Sequence, residues 1–324
     1  MRYFARRLAH ALLLLVGVSF LTFLFTALAP GSYVDEMRLN PQISPETVAA
    51  LKAQYNLDKP MPVRYAKWLG AALRGDLGFS FAYDVPVAPL LVVRARNTLL
   101  LTVTATFLAW LIALPIGIWS ADHSGGLGDR AVTWMTGGLL VIPDIALALG
   151  FLELAVRSGW FPTGGIVSIG SESLSFAGKL KDVFWHMILP VSVLVIAAQP
   201  LLIRHVRAAI REALGTEYVH AAEAFGISRR RILWRYALPG AANPLISLFG
   251  FSIGALLSGS LLVEIVTSWP GIGPLLLEAI LARDLYVVTG GILISTLCLV
   301  FGNFVADVML YWADPRIRKG GAAS

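Results

Sequence analysis

The chain has little charge and almost no cysteine. Charged residues are 14% of its 324 residues, hydrophobic residues are 57%, and mean hydropathy is +0.72. A soluble domain carries about 25% charge, so an ordinary water-soluble fold is excluded. The single cysteine, Cys298, lies in an apolar run and rules out an intrachain disulfide. The sequence lacks a Gly-x-x-x-x-Gly-Lys-Ser/Thr phosphate loop; Gly178-Lys179 is followed by Leu180. The chain is therefore not expected to bind ATP by itself. Its five histidines (His10, His123, His186, His205, His220) are scattered without metal-ligand spacing, so no metal is expected. No nucleophile–base arrangement is legible, and no enzyme activity is expected. No basic-aromatic surface module remains outside the apolar segments, so no nucleic-acid partner is expected.

What the chain does have is long apolar runs. About 20 apolar residues cross a bilayer as a helix, and runs of this length are too long for barrel strands. Six spans are expected, at roughly 9–29, 98–120, 131–155, 186–206, 241–266 and 287–311. Pro115 and Pro190 interrupt two of them, and packed neighbours must then satisfy the freed carbonyls. Gly250, Gly254, Ser258 and Gly259 form a small-residue stripe on the fifth, as in tightly packed membrane bundles.

Short basic flanks set the orientation. Arg2, Arg6 and Arg7 precede the first span, and Arg316, Arg318 and Lys319 follow the last. Arg204, Arg207, Arg211, Arg229, Arg230, Arg231 and Arg235 surround the fourth-to-fifth connection. An even number of spans puts all three clusters on one side, expected to be the cytoplasm, with both termini. The sequence pI of 9.6 reads as this topology signal. The N-terminus imitates a secretory signal ending at Ala27-Leu28-Ala29, but its apolar run exceeds the usual length of about 7–15 residues. It is read as a retained span.

The organisation follows: a tail and first span over 1–29, an outer helical cap over 30–96, a five-helix core over 97–311, and a cytoplasmic tail over 312–324. In the cap, Ser44-Pro45-Glu46 reads as a helix start running to about Tyr55. A second helix is expected over Pro62–Leu73, ended by Gly75, with Val63, Ala66, Leu69 and Leu73 on one face. The core includes a polar connection over 207–240. There Thr216 is expected to cap a helix from Glu217 to Phe225, and Gly226 to end it in a left-handed turn. Ser228 is expected to cap a second helix reaching about Ala237, before Pro239. The pair makes a rigid knob. Ala221, Ala222 and Ala224 offer a small face for close approach, Phe225 and Ile227 can fill a partner's apolar pocket, and the arginines can pair with its acids.

This connection resembles the "EAA" loop of ABC importer permeases, whose pattern is E-A-A, three residues, Gly, nine residues, then I-x-L-P. His220-Ala221-Ala222, Gly226 and Tyr236-Ala237-Leu238-Pro239 occupy these places. His220 departs from Glu and Tyr236 from Ile. Other segments are similar, in collinear order, to the B-type permeases of dipeptide and oligopeptide importers. They are Leu57-Asp58-Lys59-Pro60, Gly75-Asp76-Leu77-Gly78-Phe79-Ser80, Asn97-Thr98-Leu99, Glu264, Trp269-Pro270-Gly271-Ile272-Gly273, Arg283-Asp284 and Asp314-Pro315-Arg316-Ile317.

The resemblance implies an all-α integral membrane protein of the type I importer fold, with six transmembrane helices and a small helical outer insertion. It implies a second homologous permease, two ATPase subunits that bind ATP and magnesium, and an extracytoplasmic substrate-binding protein, in a bacterial cytoplasmic (inner) membrane. No cofactor is implied for this chain. The coupling loop would comprise Glu217, His220, Ala221, Ala222, Phe225, Gly226, Arg229, Arg230, Leu238 and Pro239. Trp269, Pro270, Gly271 and Gly273 read as an outer gate or docking turn, against an interfacial loop anchored by its tryptophan. Asp144, Glu153, Gln199, Glu264 and Asp307 fall in or near spans and are read as structural. An autonomous secondary transporter or channel is the alternative. It would predict an internal repeat, and none is clear between the two halves.

Overall fold

Apolar helices dominate the computed structural model, which describes residues 2–28, 44, 46 and 59–313. They are α1 (Arg2–Leu28), α2 (Met61–Ala72), α3 (Val87–Asp122), α4 (Leu127–Val141), α5 (Asp144–Ser158), α6 (Phe176–Leu214), α7 (Glu217–Ala224), α8 (Arg229–Ile232), α9 (Leu238–Gly240), α10 (Ala242–Val266), α11 (Ile272–Leu281) and α12 (Leu285–Ala313). A two-residue hairpin ladder, β1 (Phe79–Ser80) with β2 (Val85–Pro86), precedes α3. The helix expected near 44–55 and the Asp314–Ile317 motif lie outside the described residues, apart from Ser44 and Glu46.

Among the described residues, five helices are long and apolar enough to cross a membrane: α1, α3, α6, α10 and α12. The expected third span is not one straight helix. α4 and α5 meet at a bend of 95°, and only together would they make a sixth crossing. The break is local chemistry. Ile142 is extended (φ −79°, ψ 119°) ahead of Pro143, and proline drives the residue before it out of the helical region. Two other spans run past their expected ends. α3 starts at Val87, so residues 87–96 belong to a helix. α6 starts where the Ser175 hydroxyl accepts the Gly178 N–H at 3.3 Å, and it carries Pro190 and Pro200 inside it.

Two compact units divide the chain: Met1–Thr98 with Pro270–Val300, and Leu99–Trp269 with Phe301–Ser324. In the first, Phe23, Tyr65, Trp68, Leu91, Leu275 and Val287 form the core. α2 starts with a proline in its first turn and gives way to Gly75 at φ +86°. The Tyr65 hydroxyl lies 2.9 Å from Ser19 Oγ, and Trp68 Nε1 donates to the Leu77 carbonyl at 3.0 Å. These bonds seat α2 on α1 and on the segment leading into β1.

Asp284 explains why two distant motifs occur together. Its Oδ2 accepts from Ser80 Oγ at 2.7 Å and from the Ala82 N–H at 3.3 Å. Its Oδ1 accepts from the Val287 N–H at 3.2 Å, in the first turn of α12. One buried carboxylate thus caps a helix and holds the hairpin. Gly78, at φ +96°, lies against Tyr286, where a Cβ would stand 2.9 Å from the ring. Nearby, Tyr83 donates to Glu278; burial, then this carboxylate, push its phenol up to about 12.

In the second unit α6 is the central helix and packs against α4, α5 and α10. Small side chains permit close approach. A Cβ on Gly117 would come within 2.6 Å of Val206, and one on Gly250 within 2.5 Å of Ala306. This is the packing expected where lipid supplies no hydrophobic drive between helices. Large apolar side chains remain exposed, among them Leu13, Phe25, Phe107, Trp134 and Trp312. In water such a surface would be an aggregation liability; in a bilayer it is the solvent-facing surface.

Candidate functional site

The polar connection between α6 and α10 folds as a knob with its own small core. α7 ends in a Schellman motif: the Ile227 N–H reaches the Ala222 carbonyl at 3.2 Å, and the Gly226 N–H reaches Glu223 at 2.9 Å. Gly226 stands at φ +74°, where glycine has no steric penalty. The motif folds Ile227 back onto buried Val219, Ala222 and Ile232, with Leu214 and Tyr236 packed beside them. Two expectations change here. Ala222 and Ile227 belong to the inside of the knob, because the left-handed turn brings α8 back over that face of α7. Phe225, by contrast, is 86% exposed, and Glu217, His220, Ala221 and Ala224 are exposed with it.

The caps also differ from the sequence reading. Thr216 sits at the N-cap position of α7, but its hydroxyl donates to the Ala213 carbonyl at 2.6 Å. It closes the end of α6 instead. Ser228 occupies the N-cap of α8 without a side-chain cap bond. The second helix does not stop before Pro239. It passes from α8 into a π-helical turn, Leu233–Ala237, and then into α9. That register places Pro239 in the first turn of α9, where a missing N–H costs little. A side chain on Gly240 would collide with the Tyr218 hydroxyl, so α7 and α9 touch directly.

Charge clamps the knob to the bundle. Arg229 Nε lies 2.6 Å from Oδ1 of Asp122, the last residue of α3, and its Nη1 pairs with Glu223. Arg229 is thus committed inside the chain. A second clamp lies deeper. Arg207 of α6 grips Asp129 of α4 with two bonds, at 2.6 and 2.7 Å. Asp129 also accepts from Ser120 Oγ at 2.6 Å and from the Gly125 N–H at 2.8 Å. Sequence reading did not single out Asp122 or Asp129. The available signal was two acids flanking the short polar turn between α3 and α4, one ending α3 and one in the first turn of α4. Arg230, Arg231 and Arg235 make no ion pair among the described residues. With Ser228 and Trp234 they bound a shallow hollow of about 400 Å³.

The Trp269–Gly273 turn is held from within. Trp269 is 1% exposed and lies in the core of the second unit, so it is not an interfacial anchor. Asn97 Nδ2 donates to the Pro270 carbonyl at 2.8 Å, and Thr98 Oγ1 accepts the Ile272 N–H at 2.8 Å. Gly271 and Gly273 are buried as well. Of the polar residues in the spans, Gln199 donates to the Ala109 and Val195 carbonyls at 3.3 and 3.2 Å, and Glu264 and Asp307 are buried. Glu153 pairs with Arg157 on the surface of α5, and Asp144 is exposed at the α4–α5 break. Among the described residues, no group of three or more His, Cys, Asp or Glu side chains is placed to hold a metal ion.

Comparison with known proteins agrees over nearly the whole length. The chain is 34% identical over 318 residues to the oligopeptide transport system permease protein AppB of Bacillus subtilis, covering 98% of this chain and 99% of that protein. It is 31% identical over 335 residues to the dipeptide transport system permease protein DppB of Escherichia coli K12, with the same coverage. Its fold matches a chain of the inward-facing MetNI methionine ABC transporter with a TM-score of 0.56 at 21% identity, over 69% of this chain and 96% of that one. Residues 1–102 match the N-terminal region of binding-protein-dependent transport system membrane components. Residues 113–319 match the binding-protein-dependent transport system inner membrane component, and the chain, a multi-pass membrane protein, belongs to that family.

Proposed function

We propose that this chain is the membrane subunit of an ATP-driven peptide importer in the bacterial cytoplasmic membrane, with both termini cytoplasmic. It forms the passage with a second, related permease. Two ATPase subunits bind ATP and magnesium, and an extracytoplasmic binding protein delivers the substrate. The peptide class rests on the likeness to AppB and DppB.

The observation that carries the reading is the knob itself: a two-helix element with a closed core, clamped to α3 through Arg229, that leaves Phe225 exposed. An exposed aromatic on a rigid, charge-rimmed element is the anchor geometry of compact interfaces. Closure of the ATPases would push on Phe225, Gly226 and the exposed alanines. Arg229 would pass the push to the end of α3, and the α8–α9 run would pass it to α10. Rigid-body rocking of packed helices then alternates access, driven by the different affinity of ATP for two states. The Trp269–Gly273 turn serves as a rigid element of the outer gate.

The test is gentle purification from native membranes, followed by deletion of Glu217–Leu238. Recovery of a second permease and ATPases, with ATP-coupled uptake lost in a deletion variant that still inserts, supports the reading. A homo-oligomer that transports alone would sink it.

A further inference from the structure

Three guanidinium groups beside the knob are exposed. Arg230, Arg231 and Arg235 form no ion pair among the described residues, yet with Trp234 and Ser228 they line one hollow. Arg229, next in sequence, is already neutralised by Asp122 and Glu223. The cost of gathering like charges is smallest where an anion sits among them. Guanidinium forks suit the oxygens of a phosphate.

A second hollow begins three residues further along the same helical run. It is an apolar groove of about 320 Å³ whose lining includes Trp110, Leu238, Leu245, Ile246, Phe249 and Met309. It runs along the first turns of α10, a span, and no charged residue lines it. An arginine-lined hollow followed within three residues of chain by an apolar groove along a membrane helix matches the two ends of an amphiphile. Trp234, on the wall of the first hollow, is the residue type enriched at the headgroup level. We propose that these two hollows together bind an anionic phospholipid, its phosphate held by Arg230, Arg231 and Arg235 and one acyl chain laid along Leu238–Phe249. The inference rests on the reading of this face as cytoplasmic, where a bilayer presents anionic headgroups. The lipid would tie the α8–α9 run, through which the knob moves α10, to the membrane surface.

The test uses the assembled transporter, this chain with its partner subunits. It is reconstituted in mixed phosphatidylcholine–phosphatidylglycerol nanodiscs, released, and examined by native mass spectrometry. Phosphatidylglycerol is expected to be retained over phosphatidylcholine. Its retention should fall by at least about tenfold in the R230Q/R231Q/R235Q variant. It should fall likewise in I246W, which fills the groove and leaves the arginines intact. An unchanged thermal midpoint reports that each variant is folded. Equal retention of the two lipids by the wild type overturns the proposal. So does a triple variant that keeps phosphatidylglycerol but sheds its ATPases, because the arginines then belong to that interface. A wild-type spectrum without ATPases would count against the importer reading, and the lipid comparison would still stand.

Discussion

Arg229 reaches from the first turn of α8 to Asp122, the last residue of α3, with Nε 2.6 Å from Oδ1. With Glu223 on its other nitrogen, it joins α3, α7 and α8 through one side chain. The Arg229 and Asp122 side chains are 46% and 18% exposed, so solvent screens the pair and its worth to stability is small, about 0.5 kcal/mol. Its weight lies in position. We predict that R229A and D122A each leave the thermal midpoint nearly unchanged but lower ATP-coupled uptake several-fold without lowering ATPase activity. The charge-reversed pair R229D/D122R should recover part of the uptake. Full coupling in both single variants would refute the role.

Phe225 and Ala222 stand close in sequence and face opposite ways. Phe225→Ala removes a side chain that is 86% exposed and should change stability by less than about 0.5 kcal/mol. It should weaken ATPase binding by roughly 1–2 kcal/mol if this aromatic is an anchor. Ala222→Phe overfills the buried core of the knob and should cost about 1–3 kcal/mol of stability. Thermal melts read one effect and ATPase co-purification the other; the same readout for both variants would contradict the placement.

At Gly226, a Cβ would meet nothing within 4 Å, so only the backbone opposes substitution. With φ at +74°, Gly226→Ala should cost about 1 kcal/mol and keep the ATPases. Gly226→Arg adds bulk on an exposed turn and is predicted to reduce ATPase co-purification. Normal recovery with the arginine variant would argue against docking at this turn.

Asp129 is 3% exposed and accepts from Arg207, Ser120 and Gly125. Asp129→Ala leaves Arg207, 24% exposed, without its counter-charge, for a predicted loss of about 1–3 kcal/mol. Asp129→Asn keeps some of the hydrogen bonding and should lose less. Fluorescence-detected melting in detergent would rank them, and an alanine variant as stable as the wild type would overturn the assignment.

The long apolar runs made five spans legible, since length and hydropathy alone fix them. The knob was legible as well, because Gly226 and the flanking polar residues mark a turn between two short helices. The inward face of α7 was not: the choice between Ala221 and Ala222 depends on where α8 returns, which is tertiary. The acids at 122 and 129 gave no local pattern, and their partners lie 107 and 78 residues away. The break at Ile142-Pro143 carried its signal openly, in a proline within an apolar stretch. It was overridden by the total length of that stretch, which suits one straight crossing.

That break sets a problem of helix length and of backbone. α4 and α5 have 15 residues each, or about 22 Å of helix at 1.5 Å per residue. The hydrocarbon layer is about 30 Å thick, so neither half crosses it alone. Where they meet, the Ile142 N–H still reaches the Leu139 carbonyl and the Pro143 carbonyl still accepts from Leu147, but the last carbonyls of α4 and the first N–H groups of α5 have no partner within their own helices, and residues 141–146 are exposed on the isolated chain. Bare peptide cannot face hydrocarbon; it must be roofed by protein or wetted by a water-filled passage. Alone in lipid, the chain would leave the helix ends at Pro143 bare, so that break marks where protein or water has to meet it.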